Sequence, residues 1–112
     1  MDNVETPPCR ITVTRRHATD VRDRQIVVSL DGEPLATLLF GEAVTREIAA
    51  GAHRVRAHNT LFWKTRDFEL SPGEHARFEV VNEAGLGTYS LLGLLGAGPL
   101  YLTLERVGRQ TP

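Results

Sequence analysis

The sequence predicts an all-β fold: a small antiparallel β-sandwich of seven or eight strands, with an apolar Gly- and Leu-rich segment (85–100) before the last strand. Three observations carry this prediction. Apolar and polar residues alternate in short runs, the period of a strand with one buried face. Turn residues separate the runs at intervals of roughly 8–12 residues, as in sandwiches and barrels. No amphipathic run of helical length stands outside residues 90–97, so the strand–helix alternation of an α/β nucleotide fold is missing.

Residues 10–16 open the series, with Ile11 and Val13 alternating with polar positions and Thr12 and Thr14 adding β propensity. Residues 17–24 are polar and charged and read as a loop. Residues 25–30 form the second strand, with Ile26, Val28 and Leu30 facing one way. Asp31-Gly32 follows as a two-residue hairpin, because both residues tolerate the positive φ of a type I′ turn. Residues 34–40 return as its partner, Gly41-Glu42 turns the chain, and residues 44–48 make a fourth strand.

Residues 52–59 make a fifth strand, with His53, Val55 and Ala57 on one face and Arg54, Arg56 and His58 on the other. Leu61-Phe62-Trp63 is a short apolar patch, and residues 66–70 form the sixth strand. Ser71-Pro72-Gly73-Glu74 puts Pro and Gly at the centre of a β-turn. Residues 76–82 and 101–107 complete the set, with Phe78, Val80, Leu102 and Leu104 inward. The expected core is Ile11, Val13, Ile26, Val28, Leu30, Leu38, Val55, Phe68, Leu70, Phe78, Val80, Leu102 and Leu104. Residues 10–107 read as one domain between flexible tails at 1–9 and 108–112.

A length of 112 residues suits one domain with a core of its own. Thirteen Lys+Arg against 14 Asp+Glu leave a net charge of −1, which gives no global pull toward nucleic acid or an anionic membrane. Cys9 is the single cysteine, so neither an intrachain disulfide nor a cysteine zinc site can form. It stands after Pro7-Pro8 at the opening of the first strand, and it reads as a structural or exposed thiol rather than a nucleophile. The first residues are acidic and polar and lack the basic and apolar regions of a signal peptide. The longest apolar stretch, residues 89–104, is broken by Gly93, Gly96, Gly98, Pro99 and Thr103 and is shorter than the ~20 residues of a membrane span. The expectation is a cytoplasmic protein.

An echo runs through the middle of the chain. Ile48-Ala49-Ala50-Gly51-Ala52-His53 and Leu70-Ser71-Pro72-Gly73-Glu74-His75 each join an apolar strand end, a glycine turn and a histidine that opens the next strand. Together with Val27-Val28-Ser29-Leu30-Asp31-Gly32, these residues resemble the PEGA type of bacterial β-sandwich module, over about residues 26–57. In that family a strand ends in Asp-Gly, and a Pro-Gly-x-His-x-Val turn opens a later strand. Asp31 and Gly32 match the first element, and Gly51, His53 and Val55 match the second, with Ala50 in place of Pro. Pro72, Gly73 and His75 repeat the second element. The family's Gly-x-Thr-Pro is absent, and Ala36-Thr37-Leu38-Leu39 stands there. The resemblance implies an envelope-associated or interaction module without catalysis.

No constellation points to an enzyme, a metal or a cofactor. The turn histidines His53 and His75 have no HxH or HxxxH spacing and read as ligands of loop backbone. Ser29, Ser71 and Ser90 lack the glycine-flanked turn of a nucleophilic serine. Gly85-Leu86-Gly87 has neither the following Lys-Ser/Thr nor the βαβ frame of a phosphate loop. Arg54, Arg56, Lys64 and Arg66 flank Phe62 and Trp63 as in some single-strand nucleic-acid binders, but Asp67 and Glu69 dilute the patch. The outward arginines read instead as a solvated face paired with acidic neighbours across strands.

The stretch 86–100 carries no charge and holds Leu91, Leu92, Leu94, Leu95 and Leu100 among glycines. It reads either as a flap over one open end of the sandwich or as an exposed surface for a protein partner or a second copy. Peripheral membrane contact is the weaker option, because the flanks have no basic cluster. The leading expectation is a non-enzymatic interaction module that associates through this stretch or a sheet edge. The alternative is a small-ligand or carbohydrate binder with Phe62 and Trp63 as a stacking platform.

Overall fold

A computed structural model gives the structure of the chain and describes residues 7–22, 24–60, 62–84 and 100–107. These residues form eight strands: β1 Cys9–Thr14, β2 Ile26–Leu30, β3 Glu33–Leu38, β4 Ala43–Ile48, β5 Gly51–His58, β6 Trp63–Leu70, β7 His75–Ala84 and β8 Leu100–Val107. They build two four-stranded sheets, in the orders β4-β1-β7-β8 and β3-β2-β5-β6. The sandwich is the one that the alternation predicts, strand for strand. β6 starts earlier than expected, because Trp63, Lys64 and Thr65 continue the ladder opposite His58, Ala57 and Arg56.

One pairing departs from the antiparallel expectation. β1 and β7 run parallel, from Arg10 opposite His75 to Thr14 opposite Glu79. Parallel neighbours need a long crossover. The chain supplies it by leaving for the second sheet at β2 and β3, returning at β4, and leaving again at β5 and β6.

The chain thus crosses between sheets in the β1–β2, β3–β4, β4–β5 and β6–β7 connections. The first two lie at the end that holds Arg15, and the other two lie at the end that holds the Asp31-Gly32 hairpin. That hairpin has the positive φ values of a type I′ turn, 51° at Asp31 and 84° at Gly32.

The core lies between the sheets. Every expected core residue is buried, and Cys9, Leu35, Ala57, Ala76 and Val81 join them. Phe68 and Phe78 meet edge to face across the two sheets, with ring centroids 5.1 Å apart. Cys9 is a structural thiol: it is fully buried, and its Sγ donates to the Ser71 carbonyl at 3.2 Å.

Candidate functional site

The Arg15 end is closed by buried polar side chains. Arg15 follows Ile11 and Val13 at the strand period, so its side chain enters the core face, where it is fully buried. A buried guanidinium requires a counter-charge and partners for its donors. Its Nε and Nη2 donate to the two carboxylate oxygens of Asp20, at 2.9 and 3.2 Å. Its Nη1 donates to the carbonyls of Arg24 and Leu38, at 2.6 and 2.8 Å. Asp20 also accepts from the Arg22 and Asn82 amides. Asn59 donates to Asn82 at 3.0 Å and accepts from the Phe62 amide at 2.8 Å. Among the described residues no buried side-chain polar atom lacks a partner.

At the other end the two glycine turns each deliver a histidine, and the two rings have different partners. His53 presents Nδ1 to the Asp31 carboxylate at 2.6 Å and Nε2 to the Ala49 carbonyl at 2.7 Å. Both partners are acceptors, so the ring meets both only as imidazolium. Burial opposes that charge, but the bonds to Asp31 and Ala49 outweigh it and raise the His53 pKa. Partial burial would raise the Asp31 pKa, yet the bonds from His53 and from the Arg54 amide hold it low. Neither ring nitrogen is left over to take a proton from a substrate.

His75 does not bind loop backbone as expected. Its Nε2 meets the Thr12 hydroxyl on the parallel neighbour β1 at 2.6 Å, and Thr12 meets Thr45 at 2.7 Å. Burial lowers its pKa, and the charges of Arg77 and Arg10 add to the effect.

An open groove of about 820 Å³ runs beside His53, where the margins of β6 and β8 approach. Phe68 and Phe78 lie at its base, with Arg54, Arg66 and Arg106 around it. Each of these cations already holds a carboxylate: Arg54 holds Asp67 at 2.6 Å, Arg66 holds Glu105 at 3.1 Å, and Arg106 holds Glu74 at 3.2 Å. The Arg54–Asp67 pair crosses neighbouring strands, as the sequence predicts for the outward arginines, but Arg56 departs from that expectation because its cross-strand neighbours are Ser29 and Thr65. A groove compensated in this way does not select a charged ligand.

The outer face of the β3-β2-β5-β6 sheet is different. A second hollow, of about 470 Å³, is lined there by Ser29, Asp31, Gly32, Arg54 and Arg56. Arg56 stands between Ser29 and Thr65 in register, and its Nε reaches Thr65 Oγ1 at 3.5 Å. The adjacent row is Val27, His58 and Trp63. Trp63 is 55% exposed, and the His58 ring stacks on it at 5.8 Å.

The two rings of the expected platform are thus split: Phe62 packs against the core, and Trp63 faces solvent. Leu91, Leu92, Leu94 and Leu95 lie outside the described residues, and Leu100 is placed as the first residue of β8, paired with Ala84. Asp31, Gly32, Gly51 and Gly73 all take positive φ, as their turns require. Pro72 sits in the turn before Gly73.

The sequence reading missed Arg15 and Asp20. The signal for Arg15 was its parity with Ile11 and Val13. Among the described residues no cluster of His, Cys, Asp and Glu could hold a metal ion, and no helix is long and apolar enough to cross a membrane. No protein-family model and no curated protein matches the sequence.

Proposed function

We propose that the domain is a non-catalytic interaction module that associates through its Arg15 end. β7 ends at Ala84 and β8 begins at Leu100, both at that end. The observation that supports this reading is the Arg15–Asp20–Asn59–Asn82 cluster, whose side chains are all buried and hydrogen-bonded. Paired and buried in this way, the cluster makes the end a firm base for an associating segment. On this reading the uncharged, leucine-rich sequence between β7 and β8 serves a partner or a second copy. Leu39 and Trp63, both more than half exposed, lie on opposite margins of the same end and extend its apolar character. The resemblance to PEGA modules agrees with a role in association rather than in chemistry.

The test is the light-scattering mass of the 112-residue protein across a concentration series, with and without mild detergent. A dimer or larger species that detergent dissolves is expected. The Leu92→Asp, Leu95→Asp double variant should then be a monomer with an unchanged circular dichroism spectrum and melting curve. A monomer at every concentration, or a double variant that unfolds, places the leucines in the fold and overturns the proposal.

A further inference from the structure

We propose that the outer face of the β3-β2-β5-β6 sheet binds an acidic saccharide, with Trp63 under a sugar ring and Arg56 on that sugar's carboxylate. The inference goes beyond the association reading.

Charge is the first argument. On this face Arg54 is held by both oxygens of Asp67, at 2.6 and 3.2 Å. Asp31 uses one oxygen on His53 and the other on the Arg54 amide. Arg56 has no carboxylate within 4 Å among the described residues, and its polar contact is the long one to Thr65. It is exposed, at the side of the hollow that Ser29 and Gly32 complete. An exposed guanidinium with a spare fork is the group that receives a carboxylate in two parallel hydrogen bonds.

Geometry is the second. The contact with Thr65 carries the Arg56 guanidinium toward β6, the strand on which Trp63 stands two residues away. Successive residues on one face of a strand are separated by about 6.7 Å, a distance that a sugar ring and its exocyclic carboxylate can span. The His58 ring stacks on the indole, and Trp63 is still more than half exposed. Ser29 and Thr65, on either side of Arg56, offer hydroxyls to the hydroxyls of a sugar.

The same observations weigh against other ligands. A nucleic-acid strand needs several uncompensated cations along its phosphates. Here, among the described residues, Arg56 has no carboxylate partner, and Asp31, Asp67 and Glu69 share its face. A small apolar molecule needs an enclosed, mostly apolar pocket, whereas Ser29, Asp31, Arg54 and Arg56 are among the residues that line this hollow.

Trp63 is the single tryptophan, so the tryptophan fluorescence of the protein comes from this residue. The probes are the trimers of galacturonate, mannuronate and glucuronate, each with its neutral methyl ester. At least one acid should give a saturable fluorescence change, with its ester weaker by about tenfold or more. Arg56→Ala should weaken the acid by a similar factor and leave the circular dichroism spectrum unchanged. By calorimetry, Trp63→Ala should lose binding, and the Leu92→Asp, Leu95→Asp variant should keep it. The proposal is overturned if no trimer binds, if acid and ester bind equally, if Arg56→Ala binds like the parent, or if oligothymidylate binds more tightly.

Discussion

The two ends of the sandwich solve one problem in two ways. Each end carries two connections that cross between the sheets. At one end Arg15 holds both crossings from inside. It donates to the Arg24 carbonyl in the β1–β2 connection and to Leu38 where β3 leaves its sheet. Its backbone exchanges bonds with Gly41 and Glu42 in the β3–β4 turn. At the other end each crossing is made locally, by a glycine with positive φ and a histidine after it. One end therefore depends on a buried charge that serves both crossings at once, and the other depends on two separate glycine turns, each with its own histidine contact. The first should fail as a unit, and the second should fail in small, separable steps.

The largest effect is expected at Arg15. Arg15→Ala leaves the Asp20 carboxylate buried without its cation, which costs about 3–5 kcal/mol. Urea titration should show this as a fall in midpoint with little change in slope. Arg15→Lys keeps the charge but lacks the planar fork that serves Asp20 and two carbonyls. It should lose more than half as much as Arg15→Ala. If both variants cost less than a surface substitution, the contrast between the ends collapses.

The glycine turns come next. At Gly51 φ is +116° and at Gly73 it is +82°. Neither position is crowded, since an added Cβ meets nothing at Gly51 and only Pro7 at an ordinary 3.4 Å at Gly73. The cost of alanine is then a backbone cost, about 1–2 kcal/mol. It should be larger at Gly51, whose φ lies farther from the left-handed region. Thermal melts of the two variants test the order, and a larger loss at Gly73 would point to a role for the Pro7 contact.

This contrast also explains what the sequence could and could not reveal. The turns and the core are local or periodic features. Asp31-Gly32, Gly51 and Gly73 announce their φ, and strand alternation marks Ile11 through Leu104 as core. The Arg15 side chain reaches Leu38, 23 residues away, and no periodicity encodes such pairing. The parallel β1–β7 pairing and the split between Phe62 and Trp63 were hidden for the same reason. Both depend on register between strands, and a residue's type does not state its register. Alternation did place Arg56 on the outer face. That it lacks a carboxylate partner follows only once Ser29 and Thr65 are known to flank it.

The smallest effects divide the Asp31 end within itself. His53 and His75 occupy equivalent positions in the echoed turns, yet their pKa values move in opposite directions. The folded pKa of His53 lies above the usual 6.5, so its stabilisation is complete below 6.5 and is lost as pH rises through the folded value. The folded pKa of His75 lies below 6.5, so its contribution is complete above 6.5 and is lost as pH falls through the folded value. Each effect should be about 1 kcal/mol or less, because both turns are partly open to solvent. Urea stability measured from about pH 5 to 9 should flatten on the alkaline side in His53→Gln and on the acid side in His75→Gln. Asp31 adds an acid limb well below both, since its pKa is lowered from 3.8. If both glutamine variants flatten the same side, the two histidines share one environment. The charge state would then be set by the turn itself rather than by what β1 and the Asp31 hairpin bring to it.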